Sequence, residues 1–200
     1  MSLQATRTLI LASSSPRRQE LIQTFQLPVR IQVSHVDESY IPNTAPADIV
    51  EALALRKALA VAESLVSESL DGIVIGSDTI VVYHNQVLNK PVDDDDAMRM
   101  LTMLQGHTHQ VFSGVACIDL MSGKQIIKHR RTEVTMRELT KEQIRRYIAS
   151  GEPSDKAGAY AIQGIGATLV ESINGCYFNV VGLPLSLLSK MLGELGVNVL

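Results

Sequence analysis

Two hundred residues, 46% of them apolar and 20% charged, suffice to bury a core and to form a single domain over residues 1–200, compact or bilobed. Eighteen basic residues against 21 acidic ones leave a net charge of −3, and only 4% of the side chains are aromatic. Neither the basic field nor the stacking platforms of a nucleic-acid binder are present. No apolar run approaches the ~20 residues that span a bilayer, and no charged leader with a long apolar stretch is seen at the start, so a cytosolic protein is expected. Cys117 and Cys176 are too few and too far apart for a disulfide framework or a zinc site, and both are expected to be ordinary buried thiols.

In chain order, residues 9–12 form a short apolar run that predicts a buried strand. Ser13-Ser14-Ser15-Pro16 then offers an N-cap followed by Pro at the first helical position, and Leu21, Ile22 and Phe25 continue at helical spacing. Residues 29–33 alternate as a second strand. Residues 46–65 predict a long helix with Leu55, Leu59, Ala62 and Val66 on one face. A buried strand is predicted over residues 72–76, and a hairpin over residues 80–88 turns at His84-Asn85. A helix over residues 93–104 ends at Gly106, and strands over residues 111–120 and 124–136 meet at Ser122-Gly123. Thr140 with Gln143 forms a capping box for a helix reaching residue 150. A Gly-rich stretch, a hairpin at Asn174-Gly175 and a helix over residues 184–195 complete the chain. Interleaved strands and helices predict an α/β or mixed α/β fold.

Several residues stand out chemically. Arg17 and Arg18 occupy the first turn of a helix, where the dipole and free N–H groups favour anions, so a bound polyphosphate would account for them, as would solvation beside Glu20. Asp78, in Gly76-Ser77-Asp78-Thr79 after an apolar strand, would sit at a strand's carboxyl end. There it could hold a metal or accept a proton from water, or else bond its own turn. With Asp37-Glu38 it makes a candidate metal and acid–base cluster. Lys57 falls on the helical stripe Ile49, Leu53, Lys57, Ala60, where it either reaches an anion or snorkels to water. Lys90-Pro91 could aim an ammonium at phosphate or simply be solvated. The run from Asp93 to Asp96 opens a helix and is expected to cap it rather than bind metal. The five histidines make no metal set. Asp155, Lys156 and Gln163 lie in a loop of small residues that approaches something closely, and the Gln163 amide could read a base edge.

Leu11-Ala12-Ser13-Ser14-Ser15-Pro16-Arg17-Arg18, Gly76-Ser77-Asp78-Thr79, Lys90-Pro91, the segment from Asp155 to Tyr160 with Ile162-Gln163-Gly164, and Val181-Gly182-Leu183-Pro184 together resemble, in order, the Maf family of nucleoside triphosphate pyrophosphatases. The resemblance implies an elongated mixed sheet with flanking helices and a central cleft, similar to the inosine triphosphate pyrophosphatase fold. It also implies cleavage between the α- and β-phosphates, yielding a monophosphate and pyrophosphate. Asp78 would be the proton acceptor, beside a divalent cation, Mg²⁺ or Mn²⁺, with Asp37 or Glu38 as a further carboxylate. Ser13, Arg17, Arg18, Lys57 and Lys90 would hold the triphosphate. Arg17, Thr79 and Gln163 match the branch that acts on dTTP and UTP rather than the 7-methyl-GTP branch. Ser77 replaces the usual Ala of that branch, Ala161 the usual Gly, and Asp37 a common Glu. The substrate is expected to be a small nucleotide, with no nucleic-acid or membrane partner, and a homodimer follows by analogy. CTP and modified pyrimidine nucleotides are further candidate substrates, and the alternatives are the 7-methyl-GTP branch activity and, of another class, a non-hydrolysing nucleotide-binding regulator of septum formation.

Overall fold

The computed structural model describes residues 7–68 and 70–200. The elements in order are β1 (Thr8–Leu11), α1 (Pro16–Gln23), β2 (Val29–Ile31), α2 (Pro46–Ser64), β3 (Gly72–Tyr83), β4 (Gln86–Leu88), α3 (Asp94–Leu104), β5 (Thr108–Asp119), β6 (Gln125–Met136), α4 (Lys141–Ile148), β7 (Val170–Asn174), α5 (Tyr177–Val181) and α6 (Leu185–Glu194). Hydrogen-bonded strand neighbours follow the order β2-β1-β3-β5-β6-β7, with β4 on β3. The chain divides into two compact units. The first holds the described residues up to Asp78, Ser113–Arg130 and Gly182–Leu200; the second holds Thr79–Phe112 and Arg131–Val181. The mixed α/β expectation is met.

In the first unit β1 pairs in parallel with β2 on one side and β3 on the other, with Leu9 opposite Val29 and Ile73, and Leu11 opposite Ile31 and Ile75. Parallel strands need crossover connections, which α1 and α2 provide. Leu9, Ile10, Leu11, Ile73, Val74 and Ile75 are wholly buried, as expected of continuous apolar runs in a sheet covered on both faces. Helix α2 lies unusually close to the strands. A Cβ at Gly76 would stand 2.1 Å from the Ala54 carbonyl oxygen, and one at Gly114 would stand 2.1 Å from that of Val50. Glycine and alanine thus let the helix backbone rest almost directly on β3 and β5. This contact corrects the predicted helix face: the buried residues are Ile49, Val50, Leu53, Ala54, Lys57, Ala58 and Val61. Leu55, Leu59 and Ala62 of the predicted face are partly buried and pack against the core, while Val66, placed on the same face, is 79% exposed.

The second unit has its own core, in which Val81, Leu88, Leu101, Leu104, Val134, Met136, Ile144 and Tyr147 pack together. Its local signals are those predicted. Asp93 accepts from the Asp96 N–H at 2.8 Å and three further acidic residues fill the first turn of α3, so the run is a cap. Thr140 and Gln143 form the reciprocal capping box of α4. His84 and Asn85 take positive φ angles of 47° and 62°, the tight-turn conformation that joins β3 to β4.

Four further expectations change. Residues 72–83 form one strand where a strand and a separate hairpin arm were predicted, because the side chains of Ser77 and Asp78 find buried partners and do not turn the chain. Ser15 occupies the N-cap position of α1 but makes no side-chain cap bond; the Ser13 hydroxyl accepts from the Ser15 N–H instead. Asn174-Gly175 joins β7 to α5 and not to another strand, with Thr132 Oγ1 accepting from the Cys176 N–H at 3.0 Å. Cys176 is only partly buried at this turn, while Cys117 is buried and its thiol is pushed up to about 12. No helix of the described residues is long and apolar enough to cross a membrane.

Arg7 ties the first unit together. Its guanidinium donates to both oxygens of Asp119, at 2.6 and 3.2 Å, to Asp71 at 2.6 Å and to the Leu195 carbonyl at 3.2 Å. The Arg7 bonds hold the Asp119 carboxyl down at about 2. An Asp whose folded pKa is depressed stabilises the fold above its unfolded pKa, and that contribution is lost as the pH falls through the folded value. Urea midpoints between neutral pH and about pH 2 are therefore expected to show about 1–2 kcal/mol of acid-sensitive stability in the wild type that is missing in Asp119→Asn. The helix contact is checked by a second substitution. Gly114→Ala is expected to cost about 2–4 kcal/mol in urea unfolding, because its methyl group meets helix backbone. Gly193→Ala, which has no atom within 4 Å of the added methyl, is expected to be neutral or stabilising.

Candidate active site

The close approach of α2 to β3 places Lys57 inside the first unit. The side chain does not snorkel: the residue is 7% exposed, and Nζ donates to Asp78 Oδ1 at 2.6 Å and pairs with Glu38 Oε1 at 2.7 Å. Asp78 is equally buried, midway along β3 rather than at a strand's end. Glu38 is half-exposed, and its segment is pinned to α2 by Arg56, which donates to the carbonyls of Asp37 and Ser39. Two carboxylates from distant parts of the chain therefore converge on one ammonium.

Arg18 organises the adjoining wall. Its Nε donates to the Gly182 carbonyl at 2.8 Å, and Nη1 donates to the Ser77 carbonyl at 2.9 Å and the Ser13 hydroxyl at 3.4 Å. Ser77 is fully buried, and its hydroxyl donates to the same Gly182 carbonyl at 3.0 Å. Three of the motif segments thus meet through a single carbonyl oxygen. The hydroxyl that Ser77 adds to the usual Ala is fully accommodated there. Burial lowers the Arg18 pKa, while Asp78 and Glu38 raise it and Arg17 lowers it further, so these four charges lie in one electrostatic neighbourhood. Arg17 lies partly buried in the first turn of α1, which carries no acidic residue.

Among the described residues no group of three or more His, Cys, Asp and Glu side chains gathers to hold a metal unaided. Mg²⁺ commonly takes only one or two carboxylates and completes its shell with water and substrate phosphate. Asp78 and Glu38, each engaging Lys57 through one oxygen and keeping a second, form a donor set of that kind. Asp37 is directed elsewhere: both its oxygens accept from Ser39, by the N–H at 2.9 Å and by the hydroxyl, and these bonds hold its carboxyl below the usual range.

The second unit carries the remaining candidates. Thr79 follows Asp78 in β3, Lys90 is exposed beyond β4, and Gln163 is half-buried just before a short 3-10 helix, Gly164–Leu169. The Gly158 N–H donates to the Asn89 carbonyl at 3.1 Å, linking the loop of Gln163 to the residue before Lys90. Asp155 and Lys156 pair with each other, and Lys156 Nζ also donates to the Glu152 carbonyl at 3.2 Å. Ala161 stands outside the positive-φ region, so the Gly usual there is not needed for backbone conformation. Glu152 and Tyr147, which bond the backbone of this loop, carried no signal in the sequence.

A buried carboxylate sharing an ammonium with a second carboxylate, beside a helix start that carries two arginines, is chemically suited to an anionic phosphate ligand. The chain belongs to the Maf-like protein family, whose model matches residues 8–195. It is 49% identical over 193 residues to a dTTP/UTP pyrophosphatase of Desulforamulus reducens, covering 96% of this chain and 99% of that one. A dTTP/UTP pyrophosphatase of Moorella thermoacetica is 52% identical over 191 residues, 96% of each chain, and one of Bacillus cereus is 48% identical over 193 residues, 96% of this chain and 98% of that one. A solved nucleoside-triphosphatase / dITP/XTP pyrophosphatase from Mycobacterium abscessus is 14% identical, covers 94% of this chain and 97% of that one, and gives a TM-score of 0.42.

Removing the ammonium would leave Asp78 buried without its direct ion-pair partner, which is costly even with the Arg18 charge nearby, whereas Glu38 can turn to solvent. Lys57→Met is expected to lower stability by about 2–4 kcal/mol. Glu38→Gln is expected to cost less than about 1 kcal/mol, both read from urea denaturation at neutral pH.

Proposed function

We propose that the protein hydrolyses dTTP and UTP to the nucleoside monophosphate and pyrophosphate. The observation that carries this reading is the near-complete match, at about half identity, to relatives bearing the name dTTP/UTP pyrophosphatase. Residues 1–200 act as one catalytic domain, and the reaction belongs in the cytoplasm, where nucleoside triphosphates are made and used. Family resemblance further supports a two-fold dimer.

Asp78 accepts the proton of the attacking water. Its Oδ1 is engaged by Lys57, so the proton goes to Oδ2. The new P–O bond forms as the α–β bridging bond breaks, and pyrophosphate leaves with the electrons of that bond. Little covalent chemistry is asked of the protein, because phosphoryl transfer is governed by positioning and charge neutralisation. An ammonium has three N–H donors and Lys57 directs two at carboxylates, leaving one for a phosphate oxygen. Arg17, Lys90 and the Ser13 hydroxyl serve the remaining phosphate oxygens. Arg18, whose bonds run to Gly182, Ser77 and Ser13, shapes the wall and adds charge. A divalent cation, Mg²⁺ or Mn²⁺, held by Asp78 and Glu38, would supply further neutralisation of the phosphates. Thr79, Arg17 and Gln163 match the pyrimidine-specific branch, and an amide can pair with the edge of uracil or thymine through both its donor and its acceptor.

Pyrophosphate release with Mg²⁺ across dTTP, UTP, CTP, GTP and 7-methyl-GTP tests the proposal. Turnover of dTTP and UTP above the others is expected, and Asp78→Asn is expected to lower it at least about 100-fold with an unchanged circular dichroism spectrum. A preference for 7-methyl-GTP would overturn the branch assignment. Binding of every nucleotide without hydrolysis would favour the non-catalytic regulator.

A further inference from the structure

We propose that Glu152 and Tyr147 are positioning residues for base selection, holding from behind the loop that presents Gln163. The inference rests on Gln163 recognising the base edge. Residues 160–163 join two short 3-10 helices, Ala157–Ala159 and Gly164–Leu169, and belong to no strand, and Gly158, Ala159 and Gly164 take positive φ angles of 71°, 60° and 66°. A loop of this kind keeps one conformation only where outside groups fix its backbone.

The Glu152 carboxylate accepts the Ile165 N–H through Oε1 at 2.8 Å and the Gly166 N–H through Oε2 at 3.0 Å. The Tyr147 hydroxyl, on α4, accepts the Ala161 N–H at 3.0 Å and donates to Glu152. These bonds grip the backbone on both sides of Gln163. The loop is moulded to the pair: a Cβ at Gly164 would lie 2.3 Å from Glu152 Oε1, and one at Gly166 would lie 2.6 Å from the Tyr147 hydroxyl. Burial pushes the Glu152 carboxyl up, yet the Ile165 and Gly166 N–H groups and the Tyr147 hydroxyl outweigh it and hold the group below its usual range, as an acceptor at both oxygens.

Why such a grip should matter for selectivity follows from the amide itself. Uracil and thymine offer an acceptor beside a donor, cytosine a donor beside an acceptor, and an amide rotated by half a turn can pair with either. Discrimination therefore depends on which way the amide is turned and on the depth and angle at which the Gln163 backbone presents it to the groups around it.

The test measures kcat and KM for dTTP, UTP and CTP with Mg²⁺ in the wild type, Glu152→Gln, Tyr147→Phe and Gln163→Ala, with thermal melts as a folding control. Glu152→Gln keeps size but places an NH₂ where a backbone N–H needs an acceptor; Tyr147→Phe removes only the hydroxyl. Both are expected to raise KM for dTTP and UTP by about 3- to 30-fold, with kcat changed less, and to move the dTTP-to-CTP preference toward that of Gln163→Ala. Should Glu152→Gln fail to fold, Tyr147→Phe carries the test. If Gln163→Ala shifts the preference while the folded variants at 152 and 147 retain the wild-type ratio, the positioning role is overturned and the pair serves stability alone. If Gln163→Ala itself leaves the ratio unchanged, base reading by Gln163 falls, and this inference falls with it.

Discussion

A lysine ammonium buried between two carboxylates is costly to assemble, because each ion surrenders several kcal/mol of hydration before any attraction is gained. Lys57 and Asp78 meet that condition at 2.6 Å, and the surrounding architecture is arranged to make it attainable. Helix α2 can bring Lys57 to β3 only because Gly76 and Gly114 present bare backbone beneath Ala54 and Val50. Any side chain at those glycines would lift the helix and separate the pair. The small-residue contact and the ion pair are one feature seen from two sides: close backbone packing fixes the geometry, and that geometry repays part of the desolvation of the charges.

Around this pair the first unit concentrates negative acceptors and positive donors in one neighbourhood. Arg18, Ser77 and Gly182 hold the wall in register, so segments of chain more than one hundred residues apart act as one surface. The second unit is built on a different principle. Its candidate residue Gln163 lies in a loop with left-handed residues, held by side-chain acceptors bonded to its backbone instead of by strand pairing. Strand placement holds Asp78 at a fixed distance from Lys57. A loop suits specificity, because it can change without disturbing the chemistry.

Much of this was legible in the sequence where the signal is local. Pro16 starts α1, Asp93 caps α3, and Thr140 with Gln143 boxes α4, since caps depend on neighbours three or four residues away. The misread segments depend on distant partners. Gly76-Ser77-Asp78-Thr79 has the composition of a turn, yet Ser77 bonds Gly182 and Asp78 bonds Lys57, so both polar residues stay within a buried strand. The spacing of Leu55, Leu59 and Ala62 marks a face that only flanks the core, whereas Leu53, Ala54, Lys57 and Ala58 face the sheet, because what lies opposite is glycine. Lys57 was undecidable between anion and solvent until its partners were placed. Asp37 and Glu38 could not be told apart by position; Ser39 captures the first and leaves the second for Lys57. Glu152 had no signal at all, because a carboxylate that caps a loop from outside has no fixed spacing to the residues it serves.

The most direct measurement is phosphorus-31 NMR of dTTP incubated with the purified protein and Mg²⁺. Thymidine monophosphate and pyrophosphate in equal amounts are expected, with no thymidine diphosphate. Orthophosphate and thymidine diphosphate, or unchanged dTTP in the presence of demonstrable binding, would contradict cleavage at the α–β bond by the Asp78 site.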